Sequence, residues 1–186
     1  MTTKKTTSSN FKGAAPPKGF VNKLAEMHTS ERELSLALPL IIKAAKSQDL
    51  KALLRLHLTE TKNHAESVKD VAKTLAVELP TKGCKRMTGL IAEGVKVIGK
   101  RLISSEQDAS LIAVGQKIEQ FEIDSYKALC ATAKEQRYTH ELAVLTSILN
   151  QEKLASELLG KLAAGKSGIK KLIEQVSLKK AGAGSK

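Results

Sequence analysis

The sequence predicts an all-α fold: an antiparallel four-helix bundle with a short crossover helix and a peripheral C-terminal helix. Three observations predict it. Aromatic residues make up only 3% of the chain and Trp is absent, while Ala, Leu, Lys and Glu are abundant, the composition of helices packed by aliphatic side chains. Four long segments carry apolar residues at a spacing of three and four, the period of a buried helical stripe. A short glycine-rich stretch separates the second from the third, and a crossover there allows the helices to pair as two hairpins. At 186 residues the chain is long enough for one domain with a full core.

Residues 1–19 are Lys, Thr, Ser, Gly and Pro without periodicity, closed by Pro16, Pro17 and Gly19, and are expected to be a disordered basic tail. The bundle is expected over residues 20–160. Its first stripe is Phe20, Leu24, Met27, Glu31, Leu34/Ser35, Leu38 and Ile41/Ile42, ending near Lys46. Pro39 interrupts it; without an amide to bond back to Ser35, it is expected to kink one continuous helix rather than end it. Ser47 reads as the cap of the second helix and Leu50 as its first buried residue. That helix carries Leu53, His57, Glu60, His64, Ser67/Val68 and Val71 in line, runs to about Val77, and is stopped by Pro80.

Residues 84–101 place Met87, Leu90/Ile91, Val95 and Ile98 at helical spacing, but their three glycines each cost roughly 1 kcal/mol inside a helix. This is the short joining helix. The third long helix is expected from Ser105 or Ser110 to about Gln136, with the inner line Ile112, Gly115, Ile118/Glu119, Glu122, Tyr126, Leu129 and Ala133. A turn near Tyr138 leads to the fourth, with Glu141, Leu145, Ile148, Glu152, Ala155/Ser156 and Leu159 in line. Glycines between Gly160 and Gly168 end it. Residues 161–186 read as a basic extension holding a short helix, marked by Ile169, Leu172, Ile173 and Val176.

Composition also narrows the function classes. The formal net charge of +12 sits at the ends: four lysines and no acid in residues 1–19, seven lysines and one Glu in residues 161–186. Ends of this kind can hold DNA or another polyanion without sequence preference, or simply keep the chain soluble. Cys84 and Cys130 are the only cysteines, so a disulfide framework is not expected and a reducing, cytoplasmic setting is. The start, MTTKKTTSSNFKG, has charge but no apolar run, which argues against a secretion signal. No segment approaches the ~18 consecutive apolar residues of a membrane span. Pairing into a homodimer is the default expectation for a soluble oligomer.

The chemistry lies in the stripes. Each long helix puts a carboxylate in its apolar line: Glu31, Glu60, the pair Glu119 and Glu122, and Glu152. An ionised Glu buried alone is costly, so these either face a wet groove, belong to a polar core network, or are neutralised by cations. Glu31 and Glu152 each stand mid-stripe, with apolar residues on both sides, so in a bundle the carboxylates can meet at one level. Metal ions held between facing helices through such carboxylates are a known solution. Two divalent ions about 3.5–4 Å apart need bridging carboxylates and terminal ligands. Glu60 and Glu152 are the candidate bridges, with Glu31 and Glu119 or Glu122 as terminal ligands. His57 and His64 flank Glu60 on the same face, as direct ligands or as supports behind them, and His28 lies three before Glu31. Oxygen-rich donors with a minority of imidazole suit iron or manganese better than structural zinc.

The stretches HTSERELSLALPLIIKAAKSQDLKALLRLHLTETKNHAESV, CKRMTGLIAEG, GQKIEQFEIDSYKALCATAKE and, more weakly, LNQEKLASELL resemble the bacterial YciF-like stress-protein family, a branch of the ferritin-like superfamily. The similarity spans about Phe20 to Leu159. Such proteins are similar to rubrerythrin in fold, and the resemblance implies a di-iron centre drawing on Glu31, Glu60, Glu119 with Glu122, and Glu152. The chain departs from the rubrerythrin-like pattern at Asn63, where ExxH would place His, and at Ala155, where another ligand would follow Glu152. Both departures bear on full peroxidase or ferroxidase competence. The implied activity is that of an oxidoreductase that oxidises Fe(II) or removes peroxide under stress, with Mn or Zn as other occupants. Tyr126, four residues after Glu122, is the candidate catalytic residue, able to hydrogen-bond a ligand or donate an electron, or else a core aromatic with a satisfied hydroxyl. Cys130 reads as an inert thiol. Without a rubredoxin-like Cys motif, turnover needs an external electron donor. The contrasting expectation is a metal-stapled bundle without turnover that binds DNA or another polyanion through its lysine-rich ends.

Overall fold

The computed structural model describes residues 15–100, 102–169 and 171–173. Five helices fill most of that span: α1 (Lys18–Ala44), α2 (Gln48–Thr74), α3 (Lys85–Ile98), α4 (Ser104–Glu135) and α5 (Thr139–Ala163). Short turns make α1 and α2 one antiparallel hairpin and α4 and α5 another. The two hairpins face each other through α2 with α5 and α1 with α4, and α3 crosses between them against α1 and α4. The four long stripes thus become one core, from Phe20 and Leu24 at one end to Leu111 and Leu159 at the other. Among the described residues no helix is long and apolar enough to cross a membrane.

α1 runs through Pro39 as one helix, with the proline on its exposed face. At its end Gln107 Nε2 donates to the Ala44 carbonyl (2.8 Å), and Asp108 accepts from the backbone of Lys46 and Ser47 (2.8 and 2.7 Å). Ser47 Oγ accepts from Leu50 N at 3.0 Å, the cap the sequence called for. The start of α4 therefore clamps the α1–α2 turn, which sets the height of one hairpin against the other.

α2 ends at Thr74, three residues before the expected Val77, because the chain turns back on itself there. Ala76 takes φ 55°, and Ala76 N and Val77 N donate to the carbonyls of Lys73 and Ala72. α4 ends the same way, with Arg137 at φ 57° and Arg137 N and Tyr138 N bonded to Lys134 and Ala133. Glycine normally takes this left-handed position. We expect Ala76→Gly and Arg137→Gly each to raise stability by about 0.5–1 kcal/mol, read from the denaturant midpoint at constant m-value.

Two apolar positions differ from expectation. In α3 the buried residues are Met87, Gly94 and Val97, while Val95 is 42% exposed, because the helix turns its Gly94 edge toward Ile41 and Val114. In the peripheral C-terminal helix, helical at 169 and 171–173, Ile169 and Ile173 pack into the core but Leu172 is 40% exposed. A short helix laid on a bundle buries only one narrow edge. Asp49 ties it down by accepting from Gly168 N at 3.0 Å. Val176 and most of the expected basic tail lie outside the described residues. Cys84 and Cys130 are both free, and Cys84 caps α3 by accepting from Met87 N at 3.4 Å.

Candidate metal centre

Helical spacing decides which side chains meet at mid-bundle. On α2, positions 57, 60 and 64 fall on one face; on α4, positions 119, 122 and 126 do. α1 contributes Glu31 and α5 contributes Glu152. All eight of these side chains are buried, and Glu31, Glu122, Tyr126 and Glu152 are fully so.

Six of them form two groups. His57, Glu119, Glu122 and Glu152 offer donor atoms within 4.8 Å of one another, and so do Glu31, His64 and Glu152. Glu152 belongs to both. His57 Nε2 stands 3.5 Å from Glu119 Oε1 and its Nδ1 stands 3.9 Å from Glu152 Oε2. His64 Nδ1 lies 2.8 Å from Glu152 Oε1 and 3.7 Å from Glu31 Oε2. Both groups can hold a metal ion.

The electrostatics show what such a cluster costs the protein. Burial, with His64 close by, holds His57 down at about 3, so its imidazole is neutral and has a lone pair to give. Burial also opposes a charge on His64, but the carboxylates of Glu152 and Glu31 prevail and hold it up at about 11, so the ring is protonated while no metal is present and an ion taking its nitrogen would displace that proton. Burial pushes Glu119 and Glu122 well above the ordinary carboxylate range, and repulsion from Glu152 and Glu31 adds to it. Glu152 is raised by burial against the lowering contact with His64. With only the His64 charge among them, carboxyl groups in this setting take protons unless a further cation stands there.

The donor atoms fit a cation. Glu31 Oε2, both nitrogens of His57, Glu119 Oε2, and both oxygens of Glu122 and of Glu152 have no hydrogen-bond partner although they are buried. His64 Nδ1 and Glu152 Oε1, at 2.8 Å, are an ion pair when His64 is protonated. Folded proteins leave few buried polar atoms unpaired, and a concentration of them at one level is what a bound cation would satisfy.

Tyr126 sits behind this array. Its hydroxyl donates to Glu31 Oε1 at 2.6 Å and its ring meets His64 edge-on, with centroids 6.4 Å apart. One Glu31 oxygen is thereby anchored while the other faces His64. Tyr126→Phe is expected to cost about 1–3 kcal/mol, because it strands a buried acceptor, and to weaken metal retention at the Glu31 side first. Thermal melting and metal titration of the variant check this.

Glu60 belongs to neither group. It lines a groove of about 560 Å³ between α2 and α5, with Thr59, Asn63, His64, Ser67, Ser147 and Gln151. Gln151 Oε1 lies 3.3 Å from His64 Nε2, fixing the ring from its outer side. Sequence reasoning missed Gln151, since a single amide beside a stripe carries no signal of its own. His28 is half-buried and outside both groups.

The model of the family described as Domain of unknown function (DUF892) matches residues 16–173. The chain belongs to this DUF892 family. Protein YciF of Escherichia coli is 30% identical to the chain over 145 residues, 77% of this chain and 87% of that one. The crystal structure of that E. coli stress protein superposes with a TM-score of 0.76 at 30% identity, covering 78% of this chain and 92% of YciF. YcfI of Rhodopseudomonas palustris superposes with a TM-score of 0.73 at 30% identity, covering 81% and 97%. A protein from Xanthomonas campestris shares the fold alone, at 18% identity and a TM-score of 0.63 over 80% and 90%. This DUF892 chain is thus a ferritin-like bundle with two buried His/Glu groups able to take a metal.

Proposed function

We propose that the chain is a di-iron carboxylate protein that protects against oxidative or general stress by oxidising Fe(II) or reducing peroxide. The observation that carries this is Glu152, one carboxylate common to two donor groups, the arrangement a pair of neighbouring ions requires. Support for the stress role is the description of YciF as a stress protein. His57, Glu119, Glu122 and Glu152 would hold one ion, and Glu31, His64 and Glu152 the other. Iron is the first choice for such oxygen-rich donors, with manganese and zinc as other occupants. Two ions there would supply one electron each to an oxygen species at a single place.

The chain's own residues do the rest. His57 keeps an unprotonated nitrogen, Tyr126 fixes the orientation of Glu31, and apolar layers above and below exclude bulk water. Glu60 places a carboxylate in the polar groove that reaches His64, where an incoming cation first meets the site. Reducing equivalents come from an external donor, in a cytoplasmic setting. The functional unit is the bundle of residues 20–160, with residues 1–19 and 161–186 as basic ends.

Two metal equivalents per chain should be retained after chelator-free purification. Consumption of dioxygen or peroxide by the iron-loaded chain should be lost in Glu152→Ala and reduced in Glu60→Ala. A chain that binds two ions and consumes neither oxidant would leave the metals a structural role. The charge at the chain ends favours a second reading, a bundle that holds DNA or another polyanion. Removing residues 1–14 and 174–186 tests it, because this leaves the core residues Ile169 and Ile173 in place; salt-sensitive DNA retention that vanishes in the shortened chain supports it.

A further inference from the structure

The bundle holds a second space, different in character from the polar groove. A cavity of about 30 Å³ lies where all five helices meet, walled by aliphatic side chains such as Leu38, Leu53, Val114 and Leu159. Its only polar lining residues among those described are His57 and Glu119, both members of one donor group. It exceeds the ~10–15 Å³ that one water-sized sphere needs, so a diatomic molecule fits. A water or peroxide molecule there finds partners at His57 and Glu119 alone, whereas an apolar molecule has no hydrogen bonds to lose.

Two glycines shape this space. A Cβ on Gly115 would come within 3.1 Å of Leu159 Cδ1, and one on Gly94 would lie 3.7 Å from Val114 Cγ1 and 3.8 Å from Ile41 Cδ1. Gly94 stands inside α3, where alanine is the better helix former, and a methyl group there would project between two residues of the cavity wall.

We propose that this cavity is a chamber for small, uncharged, apolar molecules, holding them against the His57–Glu119 side of the centre. Resting on the di-iron reading, the inference names dioxygen rather than peroxide as the oxidant the chamber admits. The polar groove on the α2–α5 side, lined by Glu60, Asn63 and Gln151, then serves cations and polar solutes at the His64 side.

The test uses the full-length, metal-free chain. Methyl NMR under xenon, and then under dioxygen pressure, should show saturable effects centred on Leu38, Val114 and Leu159. Gly94→Ala should weaken xenon binding at least about fivefold while melting no lower than the parent chain and keeping its metal stoichiometry. In the iron-loaded chain the same substitution should slow oxidation by dioxygen more than oxidation by peroxide. No saturable xenon effect in the parent chain, or equal xenon binding in Gly94→Ala, overturns the inference. Because xenon is read without metal, a chain that takes up no iron yet binds xenon sinks the di-iron reading and leaves the chamber standing. A chain that binds two ions and no xenon does the reverse.

Discussion

Glu152→Ala is expected to release both metal ions, whereas losing any other single carboxylate of the centre is expected to release one. The reason is geometric. Glu152 is the only residue counted in both donor groups among the described residues; Glu31 serves only the His64 group, and Glu119 and Glu122 serve only the His57 group. Titration with Fe(II) or Mn(II), followed by gel filtration and elemental analysis, should give about two ions for the parent chain and one for Glu31→Ala. Glu152→Ala should give none. Glu152→Gln is the sharper probe of charge, since it keeps the volume and one oxygen. It should retain metal far more weakly than the parent, because an amide cannot offset a divalent cation. If Glu152→Ala instead still held one ion as tightly as the parent, the two groups would be independent sites.

Metal is also expected to close or reverse the stability gap between the parent chain and a variant of the cluster. In the absence of metal the cluster is a burden: Glu122 is fully buried, neither of its oxygens has a partner, and burial pushes its carboxyl well above the usual range. Glu122→Leu should therefore stabilise the metal-free bundle by about 1–3 kcal/mol, as apolar replacement of an unpaired buried polar group commonly does. With metal at a hundredfold excess over Kd, each site adds about 2.7 kcal/mol, so two sites add about 5 kcal/mol. For a chain of this size that is a rise in Tm of roughly 10–20 °C. The parent should gain all of it and Glu122→Leu at most half. Scanning calorimetry with and without metal decides. A parent chain whose Tm ignored Fe(II), Mn(II) and Zn(II) alike would mean that the cluster takes up no metal.

The parts legible in the sequence were those with a period. The stripes from Phe20 to Ile41 and from Leu145 to Leu159 place their residues in the core as spacing requires, and the carboxylates in those stripes are buried with them. The turn residue Ser47 declared its role because its hydroxyl acts on a backbone amide three residues away. What escaped was set across the bundle rather than along it. Spacing put Glu60 on the inner face of α2, but only the rotation of α2 against α5 decides that it lines the groove and that His57 and His64 enter the two donor groups. The same rotation brings Gln151 to His64. In α3, with three glycines in and around a short helix, the stripe was too weak to tell Val95 from Val97, and contact with Ile41 and Val114 settles it. The chamber beside His57 is an absence of side chain at Gly94 and Gly115, which a pattern of apolar residues does not register.

The most direct test is anomalous diffraction at the iron edge from crystals grown or soaked with Fe(II) under exclusion of air. Two peaks are expected inside the bundle, one on each side of Glu152, the first among His57, Glu119 and Glu122 and the second beside Glu31 and His64. A map with no internal peak, or with iron only on surface carboxylates, would contradict the account.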